Sequence, residues 1–350
     1  MKLTAASASS KLGERELVTL MALLMSLQAF GIDSMLPALG VMAEELGAAG
    51  NDRQYVISSY FLGAGLGAFF PGAFADKFGR RPVLFVGLAS YILLSLACAI
   101  VTDFWWLIGL RFVQGVACAG LSVVPAAIVR DHGVQMFGGS DSFLMFDGRN
   151  VSPAGAALAG GMTIDALDAH DGYNPAKGHV GCSVFPAALA MAVALGRTGG
   201  QDFLTDIALG YELGSRLALA LHGTVSDYHT SGAWGAVACA AVGARQMGLD
   251  AEATRHALGI AEYHGPRSQM MRCIDHPTML KDGSGFGAMA GVSAAFLAKS
   301  GFSGAPAITI EGEEAAQYWS TLGSDWLITQ QYFKPYPVCR WAQAPIEAVL

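Results

Sequence analysis

Apolar positions along this chain follow two different rhythms. Up to Arg130 they run in long, nearly unbroken stretches, at residues 17–42, 55–74, 83–101 and 104–129, with short polar segments between them. Each stretch holds about 20 residues, the length with which an α-helix crosses a hydrocarbon core. Four transmembrane helices are therefore predicted within residues 1–131. After Asp131 the period changes. Runs such as 187–195 and 233–242 are too short to cross a bilayer and predict helices buried in a soluble core. Residues 140–152 read as a short hairpin with Asp147–Gly148 at its turn. Ser152 then stands as an N-cap before Pro153, and the Ala/Gly-rich segment that follows predicts a helix to about Asp168. Further helices are predicted over 183–195, 202–221, 233–247, 251–261 and 285–299. In the second of these, Glu212 and Arg216 are spaced to pair on a helix surface for a few tenths of a kcal/mol. The fold class is mainly α: four transmembrane helices, then a helical domain with a small hairpin.

Charge sharpens the division. Residues 1–131 hold nine Lys/Arg, nine Asp/Glu and no histidine, whereas residues 132–350 hold twelve basic and nineteen acidic residues, all of the net −7, and all eight histidines. Two physical classes meet over residues 125–139, giving a membrane segment, 1–131, and a soluble segment, 132–350. Lys2, Lys11 and Arg15 precede the first stretch, and Lys77, Arg80 and Arg81 lie between the second and third. The first loop carries Glu44, Glu45 and Asp52 against Arg53. The positive-inside rule then sets the N-terminus on the cytoplasmic side. Four spans return the chain there, which predicts a multi-pass protein of the inner (plasma) membrane with a cytoplasmic C-terminal domain. The first apolar run is too long for a signal peptide's core, so that helix is expected to be retained. Six cysteines lack C-x-x-C or zinc-type spacing, so neither a disulfide framework nor a metal centre is expected. No stretch is strongly basic, which argues against a nucleic-acid partner.

Within the apolar stretches, Asp33 and Arg111 stand out, because an ionisable group in such a setting is costly and faces a cavity or a partner. GAFADKFGRRP (72–82) resembles the cytoplasmic-loop motif of the major facilitator superfamily, and RFVQG (111–115) its fourth-helix motif. DSMLPAL (33–39) and AAIVRD (126–131) resemble its Bcr/CflA drug-efflux branch. The resemblance implies proton-coupled drug efflux, with Asp33, Arg111, Asp76 and Arg80 as the transport residues. That family has twelve helices in two halves, whereas residues 1–131 hold four apolar stretches.

In the second segment the polar residues cluster in loops. LDAHDGYNPAKGHVG (167–181) gathers Asp168, His170, Asp171, Lys177 and His179, a density of acid–base groups with few structural uses. SDYHTSGAWG (226–235) sets His229, and HPTMLKDGSGFGAMAG (276–291) sets Lys281, just before a predicted helix start suited to anions. His170, His222, His256, His264 and His276 read as structural. These motifs, with GYELGSRL (210–217), 293–313 and FKPYPVCRWAQAP (333–345), resemble the MmgE/PrpD family, which includes 2-methylcitrate dehydratase and cis-aconitate decarboxylase. The resemblance runs from about residue 133 to 350. It implies Asp168, His179, His229 and Lys281 as acid–base residues and Lys334 as substrate-binding, with Asp171 a rival for the acid. The implied reaction is metal-free dehydration or decarboxylation of a small di- or tricarboxylate, without cofactor, in an enzyme that is commonly a homodimer. In that family a lid domain follows the KPYPVC segment. Its absence here predicts impaired turnover. Three readings follow: a lyase-like domain tethered to the lipid bilayer, a transporter fragment, and an inactive fusion.

Overall fold

The computed structural model describes residues 38–48, 52–67, 80–168, 170–276, 278–335 and 339–349, together with Met35. The first part comprises α1 (Leu39–Glu45), α2 (Tyr55–Gly67), α3 (Arg80–Ile100) and α4 (Phe104–Met136). Asp103 caps α4, its carboxylate accepting from the Trp106 N–H at 2.9 Å. Gly63 and Gly115 let α2 and α4 touch backbone to backbone. A Cβ at Gly63 would stand 2.0 Å from the Phe112 carbonyl oxygen.

The expectation of four transmembrane helices is overturned. Among the described residues no helix is long and apolar enough to cross a membrane. Of the first expected span only Met35 and residues 38–42 are described, and the helix there, α1, holds seven residues. In the second, α2 holds 13 residues, about 20 Å at ~1.5 Å per residue against a core of ~30 Å. α4 has the length, 33 residues, but carries Arg111, Gln114, Arg130, Asp131 and His132 along it. The inside–outside arrangement built on four spans falls with them.

α4 continues without a break past residue 131, where the composition changes, and its last turns pack on the helices that follow. There β1 (Ser142–Phe143) pairs antiparallel with β2 (Asn150–Val151), Ser142 opposite Val151. Asp147 binds Arg149 Nε at 2.6 Å, and Arg149 Nη1 reaches Asp131 on α4 at 2.9 Å, tying the hairpin turn to that helix. Ser152 caps α5 (Pro153–Leu167), with Pro153 at its first position.

The remaining helices are α6 (Gly181–Ala194), α7 (Gly200–Thr224), α8 (Ser231–Met247), α9 (Ala251–His264), the short α10 (Met271–Asp275), α11 (Ser284–Lys299), α12 (Ile308–Glu311) and α13 (Ala316–Trp319). After them come β4 (Tyr332–Phe333) and α14 (Arg340–Val349). Between α5 and α6 lies β3 (Asp171–Gly172). α8 is the axis of the core, with nearly every residue buried, and it packs against α6, α7, α9 and α11. The Ala/Gly composition explains the closeness: a Cβ at Gly161 on α5 would meet Gly285 Cα of α11 at 2.6 Å.

Glu212 and Arg216 are not the surface pair their spacing predicts. Both side chains are 1% exposed, and Arg216 Nε lies 2.7 Å from Glu212 Oε1. Arg216 also donates to the carbonyls of Tyr318 and Asp325, at 2.8 and 2.6 Å, while Glu212 Oε2 accepts from the Ile328 N–H at 3.0 Å. The pair fastens residues 318–328 onto α7. A helical spacing alone carries no information about what packs over it.

Candidate active site

α5 ends at Asp168, which adopts the left-handed conformation with φ 53°, a region that a short polar side chain tolerates. β3 then pairs with β4, Asp171 opposite Phe333. This pairing carries Lys334, 166 positions along the chain, to the end of α5, where its Nζ meets Asp168 Oδ1 at 2.5 Å. Its backbone N–H donates to the His170 carbonyl at 3.1 Å. His170 Nε2 approaches the same Asp168 oxygen at 3.1 Å. Burial opposes the charge on Asp168, yet the hydrogen bond from His170 and the charge of Lys334 hold its carboxyl well below the usual range. Burial likewise opposes the charge on His170, but Asp168 raises it above the ordinary imidazole value.

His179 lies against His170, ring centroids 4.1 Å apart. The Nδ1 atoms of His170 and His179 both face the Asp171 carbonyl, at 3.0 and 2.6 Å. A carbonyl only accepts, so Nδ1 carries the proton in each ring. Burial first, then the charges of His170 and Lys334, bring His179 down to about 3. It is a neutral imidazole whose Nε2 offers a lone pair. The Asp171 carboxylate caps α6, accepting from the N–H groups of Val180 and Gly181 at 3.0 and 3.1 Å.

Asp168, Asp171, His179 and Lys334 are thus brought together. His229 and Lys281 stand at the starts of α8 and α11, one step further out. His229 is 8% exposed, its Nδ1 2.8 Å from the Asp227 carbonyl. Asp282 joins the two helix starts: its Oδ1 accepts from Ser231 N–H at 2.8 Å and its carbonyl from Gly232 N–H at 3.2 Å. Ser231 Oγ in turn accepts from the His179 N–H at 3.0 Å, linking His179 to both. Burial, then the charge of Asp165, pushes the Asp282 carboxyl up to about 7.

Sequence reasoning set His170 aside as structural and passed over Asp165, Cys182 and Asp282. Asp165 sits in the last turn of α5, three residues before its cap Asp168, and that closeness in sequence was the available signal. Its carboxylate accepts from the Ser284 hydroxyl and N–H, at 3.1 and 3.2 Å. No pattern marks Cys182, which approaches only through packing of α6 on α5.

Of the transport residues, Asp33 and Asp76 lie outside the described residues, and Arg80 opens α3. Arg111 is buried, its Nη1 2.6 Å from Gln114 Oε1 and its guanidinium 4.5 Å above the Tyr60 ring. Gln114 Nε2 passes the network to Ser95 Oγ at 2.7 Å.

Comparison with known proteins finds two families on the one chain. The Major Facilitator Superfamily matches residues 20–166. The chain is similar to the multidrug resistance protein MdtL of Klebsiella pneumoniae, 42% identical over 102 residues, which are 29% of this chain and 26% of that protein. A bicyclomycin resistance protein homolog of Haemophilus influenzae is 32% identical over 109 residues, 31% and 27% of the two chains. A chloramphenicol resistance protein of Pseudomonas aeruginosa is 32% identical over 105 residues, 30% and 25% of the two chains. The chain spans about a quarter of the length of these relatives. The MmgE/PrpD N-terminal domain matches residues 113–328, overlapping the first match along α4 and α5. Since that match takes in more than half of the chain, and with it Asp168, His179, His229 and Lys281, the protein belongs to the MmgE/PrpD family.

Proposed function

We propose that the helical domain binds a small di- or tricarboxylate at the Asp168–His179–Lys334 cluster and removes a proton from the carbon beside a carboxylate, with loss of hydroxide as water. The observation that carries this reading is His179. Its Nδ1 is fixed on the Asp171 carbonyl, which leaves the Nε2 lone pair as the base. Lys334 and Lys281 neutralise the charge that builds on the substrate carboxylate as the C–H bond breaks. The substrate carboxylate competes with Asp168 for Lys334. His229, at the start of α8, donates the proton that lets hydroxide leave. The net change is one C–H and one C–O bond broken, one C=C bond formed and one water released.

The test is exchange of solvent deuterium into β-hydroxy di- and tricarboxylates by the purified full chain, read by NMR. Exchange reports proton removal even where elimination is slow. It should vanish in His179→Ala, and its absence from the parent protein across such acids would overturn the reading.

A second reading attaches to residues 20–166. The buried Arg111–Gln114–Ser95 network and the resemblance to drug-resistance proteins support association with the inner membrane and a contribution to proton-coupled efflux. Drug accumulation in cells expressing the chain or its Arg111→Gln variant tests it; equal accumulation in both would sink it.

A further inference from the structure

The geometry points to a divalent metal site of the zinc type, formed by Asp165, His170 and Cys182 beside the carboxylate cluster. One ligand atom from each of the three residues lies within 4.8 Å of the others, and all three side chains are shielded from solvent, Asp165 and Cys182 being buried outright. They come from separate places: the last turn of α5, the connection after it, and the first turn of α6. In a tetrahedral zinc site with bonds of about 2.0–2.3 Å, neighbouring ligand atoms sit roughly 3.3–3.7 Å apart. Closing from 4.8 Å asks for rotamer adjustments of about an ångström, not for movement of helices.

The chemistry of the set is selective. A thiolate with an imidazole and a carboxylate suits zinc or cobalt and disfavours magnesium or calcium, which take oxygen ligands. Three protein ligands leave the fourth position to water. Supporting contacts are in place. Ser284 holds both oxygens of Asp165 through its hydroxyl and N–H, and the Asp171 carbonyl holds His170 Nδ1 at 3.0 Å. A carbonyl contact of this kind fixes the ring, and the metal would take Nε2 in exchange for the Asp168 carboxylate that it meets at 3.1 Å in this structure.

Each ligand binds deprotonated, so the proton that burial favours on Asp165 leaves as well as the two that follow. The Cys182 thiol proton and the His170 Nε2 proton leave, and the ion takes the sulfur, the nitrogen and a carboxylate oxygen. Asp168, released from His170, keeps Lys334. The site goes beyond the metal-free chemistry that the family resemblance implies. Because binding is read without substrate, its failure and the failure of the carboxylate reading are distinct.

The experiment is titration of the purified, chelator-treated full chain with cobalt(II), followed by the thiolate-to-cobalt charge-transfer absorption, and with zinc in competition. One equivalent should bind with that absorption. Cys182→Ser should remove the band, whereas Cys239→Ser, at a buried cysteine inside α8, should keep it. Ser284→Ala, which removes only an orienting hydroxyl, should weaken binding about 10- to 100-fold. If Cys182→Ser does not fold, His170→Gln serves in its place. Absence of the band in the parent chain, or its persistence in both Cys182→Ser and His170→Gln, would overturn the site.

Discussion

α3 with the first half of α4, and α8 with its neighbours, both draw on many apolar residues but put them to opposite use. On α3 and α4, Phe85, Leu93, Leu96, Ile100, Trp105 and Trp106 are all more than 60% exposed. Around α8 the apolar residues are nearly all closed off, from Trp234 and Val237 to Ala261 and Val292. Hydrophobicity therefore does not by itself say where a core is. What differs is side-chain size. The helical domain is built from Ala and Gly, which let helices meet along their length, whereas the large side chains of α3 and α4 stand outward and form a surface of the kind that marks contact with lipid or protein.

The comparison breaks most sharply at Glu212. Glu212→Ala would strand a buried guanidinium and release residues 318–328, with a loss of about 3–5 kcal/mol measured by chemical denaturation. Next comes helix approach: Gly161→Ala places a methyl group against the Gly285 backbone, 2.6 Å from its Cα, and should cost about 1–3 kcal/mol. A methyl added at Gly109, where a Cβ meets nothing within 4 Å, should cost nothing of that kind.

Within the helical domain, two buried groups give stability opposite dependences on pH. The folded state keeps a proton on Asp282 up to about pH 7, while the unfolded chain releases it near 3.8. Between those values the native state binds more protons, so this group takes stability away as pH rises through the window. His179, brought down to about 3, acts in the opposite sense, because below its ordinary value of 6.5 the unfolded chain binds the proton that the native imidazole refuses. Asp282→Asn, which still accepts from the Ser231 N–H, isolates the first term. Its stability relative to the parent should improve from about pH 4 to about pH 7 and then level off, and a flat difference would argue against a buried, protonated Asp282. The smallest effect belongs to the exposed apolar face. Phe85→Ser, Leu96→Ser and Trp106→Ser should each change unfolding free energy by no more than about 0.5 kcal/mol, while reducing self-association measured by light scattering.

Much of the helical domain was legible. The hairpin of residues 140–152 forms with its strands shortened to two residues each, and the five predicted helices from 183 to 299 form within a few positions of their expected ends. The candidate site was half legible. Asp168, Asp171 and His179 share one stretch, so their meeting is nearly dictated by the loop. Lys334 was located through resemblance, and only the β3–β4 pairing shows what it touches. The four-span expectation failed because no described helix joins sufficient length to sufficient apolarity: the helices within the first two stretches are short, and α4 carries polar and charged residues along its length.

By itself, then, the sequence determined what depends on neighbours within a turn or two. The Ser152–Pro153 helix start, the turn at Asp147–Gly148 and the Asp250 cap of α9, accepting from Ala253 N–H at 2.8 Å, are of this kind. Tertiary structure alone decided which charges are buried and with whom. Glu212 with Arg216 lies under residues 318–328, His170 is wedged between Asp168 and His179, and Asp165 faces Cys182. Local periodicity reports only that a residue lies on a helix face. The free energy of a buried charge depends on groups brought from far along the chain, and no local spacing encodes them.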